Sequence, residues 1–277
     1  MRRLVCFSCM ILLSNAFITA AFSQEDKLAN KPNFYLPYSN KLTSSIKATL
    51  ESDLAELGAG LINIHTDQDW NEYLEKVRSG SSGIYLAAPH FAAWLIHQHQ
   101  FTPLRRIKDS LNYSIISRQD DVEIFALSDL NGEQVCTQMP LSLDYLMVDQ
   151  VLKETAKTVI KAVTRSIEQR IVSRDIRCRG FTASKALASR LEQNNPNDYA
   201  RLFQSKDWNN YAILVSKDLN SERLRALDDA LSSAIISRAL LSVIRHEISD
   251  TVMVTAAKQD YPLELSEMLN PYWLSPD

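Results

Sequence analysis

Glycine is scarce. The 277-residue sequence holds six, Gly58, Gly60, Gly80, Gly83, Gly132 and Gly180. No two of them frame a phosphate-cradling G-x-G-x-x-G, a Walker loop or a G-x-S-x-G nucleophile elbow. Nucleotide-driven chemistry and α/β-hydrolase chemistry are therefore disfavoured. Cysteine is scarcer still, with four residues and no C-x-x-C, which leaves thiol–disulfide catalysis little support. Basic residues form no block, and 30 Lys+Arg stand against 33 Asp+Glu, so nucleic acid is not an expected partner. Beyond the N-terminus no apolar run approaches the ~20 residues that a membrane-spanning helix needs. What remains is ordinary for a globular chain, 45% hydrophobic and 23% charged, and long enough to bury a core in one or two domains.

The N-terminus reads as an address. Arg2 and Arg3 precede an apolar stretch, Leu4 to Phe17, and Ala21-Phe22-Ser23 offers small residues around a cleavage point. Residues 1–23 are thus predicted to be a secretory signal peptide. The alternative is an uncleaved anchor. Ser8, Ser14, Asn15 and Thr19 count against it, as does the lack of a basic stop-transfer flank. The rest of the chain, with 28 basic and 33 acidic residues, would be exported carrying a net charge of −5. Cys6 and Cys9 leave with the signal. Cys136 and Cys178 then sit in an oxidising compartment. They bridge if their Cα atoms come within about 7 Å, or remain two buried thiols, and the sequence leaves both open.

The remainder alternates short apolar runs with amphipathic helices, which predicts an α/β fold. Strands are expected at Asn33–Pro37, Leu61–Ile64 and Gly83–Ala88. Helices are expected over Leu42–Leu57, Asp67–Val77 and His90–His99, the last with Pro89 at its first turn. A second unit begins near Ser128. It has strands at Gln134–Thr137, Thr158–Val163 and Ile176–Phe181, and helices at Leu143–Leu152, Ser166–Ser173 and Ala183–Leu191. Tyr211–Val215 reads as a buried strand. The helix from Ser221 carries Leu224, Leu227, Leu231 and Ile235 at helical spacing.

Several phrases, in order, carry a resemblance: Phe34-Tyr35-Leu36-Pro37, Asp69-Trp70-Asn71-Glu72-Tyr73, Gly83-Ile84-Tyr85-Leu86-Ala87-Ala88-Pro89-His90 and Phe101-Thr102-Pro103-Leu104. Asp129-Leu130-Asn131-Gly132-Glu133-Gln134-Val135 and Ser216-Lys217-Asp218-Leu219 complete the series. Together they resemble the phosphate/phosphonate-binding family of periplasmic substrate-binding proteins. The resemblance implies a two-lobed periplasmic-binding-protein-like fold, each lobe a mixed sheet flanked by helices, with a ligand cleft between. Lobe one would be residues 25–125 plus 215–277 and lobe two 126–214, with crossings near Glu123–Ala126 and Tyr211–Val215. It also implies a monomer that needs no cofactor and captures a small anionic ligand, phosphate- or phosphonate-like or another oxyanion, for the permease of an ABC transporter. The same fold reporting to a membrane sensor is the alternative. An exported hydrolase is a third reading.

Candidate contacts lie just after strands, at helix starts, where unpaired N–H groups and the dipole suit an anion. Tyr38 and Ser39 follow the first strand, although Ser39 serves equally as a helix cap. His90 follows Pro89, with Trp94 one turn on; a satisfied core histidine beside a core tryptophan is the plain alternative. Ser142 stands where the family places a Ser/Thr-rich anion loop, but Met139-Pro140-Leu141-Ser142-Leu143-Asp144 lacks that loop's hydroxyls, and Asp144 would repel a dianion. Arg165 can pair bidentately with an anion, with Ser166 beside it. Thr182 is a weaker candidate. Trp70, Tyr35, Tyr85 and Tyr145 can wall a pocket, though core packing is their commoner use.

His90, His97 and His99 lie close in sequence, but no H-E-x-x-H or spaced carboxylate completes a metal site, so none is expected. No Gly-framed turn presents a serine and neither late cysteine has a nucleophile's context, so the chain is expected not to be an enzyme. Asp120-Asp121 and Asp228-Asp229 read as solvated charges.

Overall fold

The computed structural model describes residues 31–37, 43–66, 69–153, 159–162, 167–172, 177–194, 196–244 and 252–274. Residues 1–23 lie outside these. The first half runs β1 (Asn33–Leu36), α1 (Ser44–Leu54), β2 (Asn63–Thr66), α2 (Trp70–Ser79), β3 (Ile84–Ala87), α3 (Pro89–His99), β4 (Thr102–Ile107), β5 (Ser110–Leu111) and β6 (Tyr113–Arg118). After a short turn of helix come β7 (Gln134–Thr137), α4 (Leu143–Lys153), β8 (Val159–Ala162), α5 (Ile167–Val172), β9 (Gly180–Ser184), α6 (Lys185–Asn194), β10 (Tyr199–Gln204) and β11 (Trp208–Asn209). The chain closes with β12 (Ala212–Val215), α7 (Ser221–Leu231), α8 (Ala234–Leu241), β13 (Met253–Thr255), α9 (Leu263–Glu267) and α10 (Asn270–Trp273).

Local chemistry explains most of the boundaries. Asp69 caps α2 by accepting from the Glu72 amide at 2.8 Å. The helix buries Tyr73, Leu74 and Val77 and ends on Gly80, whose left-handed backbone (φ 62°) lets its N–H reach the Lys76 and Val77 carbonyls. A Cβ there would also lie 2.2 Å from the His99 ring. Pro89 occupies the first turn of α3, as expected. Asn220 caps α7 through the Arg223 amide at 2.9 Å. The stripe expected to run on to Ile235 stops at Ser232-Ser233, where the chain breaks before α8. Leu227 and Leu231 are buried, whereas Ile235 is exposed.

The strands form two mixed sheets. The first has the order β13-β4-β12-β3-β1-β2, parallel among β1, β2 and β3, with β12 antiparallel to both β3 and β4. The second has the order β10-β6-β9-β7-β8, with β7 parallel to β8 and β9, and β6 antiparallel to β9. β6 therefore belongs to the second sheet, although the sequence reading leaves Tyr113–Arg118 in lobe one. The chain leaves the first sheet after Ile107 rather than near Glu123–Ala126, and returns between Gln204 and Ala212. Side by side, the two passages pair as the short ribbon β5/β11, Trp208 opposite Leu111 and Asn209 opposite Ser110. They are pinned by the Ser205 hydroxyl, which accepts from the Tyr113 amide at 3.0 Å, and by Asn112 against Asp207.

Cys136 and Cys178 are joined as a disulfide, their Cα atoms 5.7 Å apart and so within the reach that a bridge requires. Neighbouring residues of β7 face opposite ways. Val135 enters the main core, while Cys136 joins a second cluster with Ile116, Phe181, Leu187 and Leu191. The acidic pairs are not simply solvated. Asp121 receives Arg179 through Nε and Nη2, both at 2.6 Å, and Asp228 receives Arg105 at 2.5 and 3.0 Å. A bidentate guanidinium–carboxylate match outcompetes water at these half-buried positions.

Candidate functional site

Between the two sheets lies a cavity of about 80 Å³. Pro37, Trp70, Ala88, His90 and Phe91 line it from the first sheet's elements, and Gln138, Met139, Ser142 and Leu143 from the second's. Tyr113 and Tyr211, at the ends of the two passages, and Val243 with Ile244 complete the described lining. Pro37, Ala88 and Gln138 each directly follow a parallel strand (β1, β3 and β7). The cavity thus sits at the carboxyl ends of strands, where open α/β sheets place ligands.

Two side chains of the first half clamp the loop before α4. Trp70 Nε1 donates to the Pro140 carbonyl at 2.6 Å, and His90 Nε2 lies 2.9 Å from the Leu141 carbonyl. A carbonyl only accepts, so this nitrogen carries the proton. Leu141 itself has a positive φ of 60°, an uncommon conformation for a bulky residue. Further along, Tyr272 donates to Asp149 at 2.7 Å, tying α10 to α4. Burial, reinforced by Asp149, raises the Tyr272 pKa above its ordinary value.

Behind the cavity wall stands Asp144, fully buried in the first turn of α4. Its Oδ2 accepts from the Gln138 amide at 2.8 Å and from Thr182 Oγ1 at 2.6 Å, while its Oδ1 lies 2.5 Å from Ser142 Oγ.

The sequence model of the family described as "ABC transporter, phosphonate, periplasmic substrate-binding protein" matches residues 40–261. The chain belongs to this family. No curated protein sequence matches it. Among solved structures, a Xanthomonas citri protein bound to ATP is similar at 13% identity and TM-score 0.64, over 87% of this chain and 98% of the other. The binding-protein component of an ABC phosphonate transporter from Pseudomonas aeruginosa shares 13% identity at TM-score 0.60, over 88% and 87%. PhnD1 from Prochlorococcus marinus, in complex with methylphosphonate, shares 10% at TM-score 0.62, over 87% and 98%. At such identities the likeness shows the fold, the two-lobed periplasmic-binding-protein architecture.

Set against this phosphonate-family fold, the site residues expected from sequence divide into three groups. His90 and Ser142 meet on one cavity although 52 positions separate their numbers in the chain. Trp94 does not join them. It is buried in the core, its ring 4.7 Å from that of Trp273, because one helical turn beyond His90 carries a side chain away from the strand ends. Thr182 is also buried and bonded to Asp144, and is not among the described lining residues. Tyr38, Ser39, Arg165 and Ser166 lie outside the described residues. Of the aromatic candidates, Trp70 lines the cavity. Tyr35 and Tyr85 pack against each other at 4.8 Å, whereas Tyr145, edge-on to Tyr272, walls a separate hollow with Leu141 and Arg78. Gln138 and Met139 were missed, yet the strand-end rule that singles out His90 applies to them equally. Tyr113 and Tyr211 had no such signal, since they matter only because the two passages meet.

Each histidine of the 90–99 stretch bonds a different carbonyl: His90 that of Leu141, His97 that of Tyr261 and His99 that of Arg78. Among the described residues no group of three or more His, Cys, Asp or Glu is placed to hold a metal.

Proposed function

We propose that the chain, exported by a cleaved leader at residues 1–23, closes as a monomer on one small solute in the cavity between its sheets and hands it to the permease of an ABC transporter. The observation that carries this reading is the cavity itself, built by His90 and Trp70 from one side and Ser142 and Gln138 from the other. A solute touching both walls favours the closed arrangement by its differential affinity for it. Family membership supports delivery to a transporter. The lobes would divide at the paired passages, about residues 108–112 and 205–211, with β5/β11 as the hinge ribbon. The fold relatives bound to methylphosphonate and to ATP support solute capture as the use of such a cleft. They carry less weight for an anionic cargo here, given what lies behind Ser142.

Native mass spectrometry of protein secreted with its own leader, together with a thermal-shift screen of small solutes, tests this reading. A solute at 100-fold its dissociation constant adds about 2.7 kcal/mol, a readily seen shift. A co-purified small molecule, or a rise in melting temperature with one solute class, is the expected result. Protein that emerges empty and responds to no solute would overturn it in favour of the sensory or interaction role.

A further inference from the structure

We propose that Asp144 is a specificity-determining residue: its carboxylate takes, from inside the protein, the hydrogen bonds that the loop before α4 would otherwise offer to an anionic ligand. The solute carried is therefore one without a dianionic head group. This rests on the solute-binding reading above and names the class of solute.

Three donors around Asp144 are engaged within the protein. The Gln138 main-chain N–H has one proton and gives it to Asp144 Oδ2 at 2.8 Å. Thr182 Oγ1 has one and lies 2.6 Å from the same oxygen, against 3.5 Å from the Cys136 carbonyl. The single hydroxyl proton of Ser142 serves either Asp144 Oδ1 at 2.5 Å or the Met139 carbonyl at 2.6 Å, both within the protein. Gln138 and Ser142 line the cavity, yet the donors counted here are turned inward. A ligand oxyanion entering beside Ser142 would have to compete with a buried carboxylate for these hydrogen bonds, and each one withdrawn from that carboxylate costs more than an ordinary hydrogen bond returns. The first turn of α4, which welcomes negative charge, already holds one in Asp144.

Charge acts in the same direction as geometry. A dianion against Ser142 would face the Asp144 carboxylate across a single side chain in a low-dielectric interior, where like charges repel strongly. None of the described lining residues is Lys or Arg. The walls are instead largely aromatic and apolar, with Trp70, Phe91, Tyr113 and Tyr211 among them, surfaces suited to the faces of an uncharged solute.

Isothermal titration of methylphosphonate and inorganic phosphate into the wild-type protein, Asp144→Asn and Asp144→Ser tests the assignment. The wild type is expected to show no saturable binding of either anion up to about 1 mM. Asp144→Ser, which frees the Gln138, Ser142 and Thr182 donors, is expected to bind at least about tenfold more tightly than the wild type. Asp144→Asn, which removes charge at constant size, should fall between. Saturable wild-type binding of either anion in the micromolar range would overturn the proposal. So would variants that bind no better than the wild type. If Asp144→Ser does not fold, the isosteric Asp144→Asn decides the comparison alone. The solute-binding reading is judged separately, by the co-purified molecule and solute screen on the wild type, so either can fail without the other.

Discussion

His90 Nε2 lies 2.9 Å from the carbonyl oxygen of Leu141, and this contact joins the helix that follows β3 of the first sheet to the loop that follows β7 of the second. One residue earlier, the Pro140 carbonyl receives Trp70 Nε1. Two ring N–H groups thus hold two successive carbonyls across the cleft. Each such bond contributes about 1 kcal/mol net. Removing both should shift the solute-free protein towards an open form. The double variant Trp70→Phe/His90→Phe is expected to have a larger radius of gyration by small-angle X-ray scattering than the wild type. Identical scattering would mean that the contacts do not hold the lobes together.

The Tyr272–Asp149 contact links α10 and α4 and has its own pH signature. Burial first, then Asp149, keeps the Tyr272 phenol protonated above its ordinary value of 10.0. A pKa raised in the folded state contributes stability that is full below about pH 10 and is lost as pH rises further. Buried Tyr261 contributes in the same direction. Melting temperature is therefore expected to fall above pH 10, and less steeply in Tyr272→Phe. Parallel profiles for variant and wild type would show that the contact does not titrate.

At acid pH the relevant pair is Arg179–Asp121. The guanidinium, hydrogen-bonded to both carboxylate oxygens, holds the Asp121 pKa below its usual 3.8 despite partial burial. A depressed carboxylate stabilises above its unfolded pKa, and that contribution is lost as pH falls through the folded value. Arg179→Gln should lower stability at pH 7 and flatten its decline below about pH 4. An unchanged acid limb in urea titrations would refute the assignment.

The Cys136–Cys178 bridge closes a loop with a sequence separation of 42, and both half-cystines are fully buried. Chain-entropy arguments give such a loop about 4 kcal/mol, with typical measured values of about 2–4. Cys136→Ala/Cys178→Ala is expected to lose roughly that much in urea unfolding. Alkylation of the leader-free protein, denatured without reductant, should label no thiol. Labelling of both cysteines would show that the bridge is absent from the protein as made.

Much of the local structure was legible in the sequence because it depends on neighbours a few residues away. Pro89 at the start of α3, Gly80 at the end of α2 and the Tyr73, Leu74, Val77 face follow from capping and helical spacing. The strands β4, β6 and β10 did not stand out. β4 carries Pro103 and the pair Arg105-Arg106, which read as polar and interrupted until Asp228 and Asp260 neutralise them. Once β6 is unseen, the passage between sheets is misplaced by the length of that strand and the turn after it.

By itself the sequence determined the α/β class, the family resemblance, and that His90 and Ser142 stand at strand ends. Tertiary structure alone decided that these two share a cavity, that Trp94 turns into the core and Thr182 to Asp144, and that Cys136 finds Cys178. The physical reason is range. Periodicity and caps record which face a residue presents, but a donor's acceptor can lie 38 residues away, as for Thr182 and Asp144, or 70, as for Trp70 and Pro140. Such pairings are selected only when whole sheets pack and each buried polar group must find a partner.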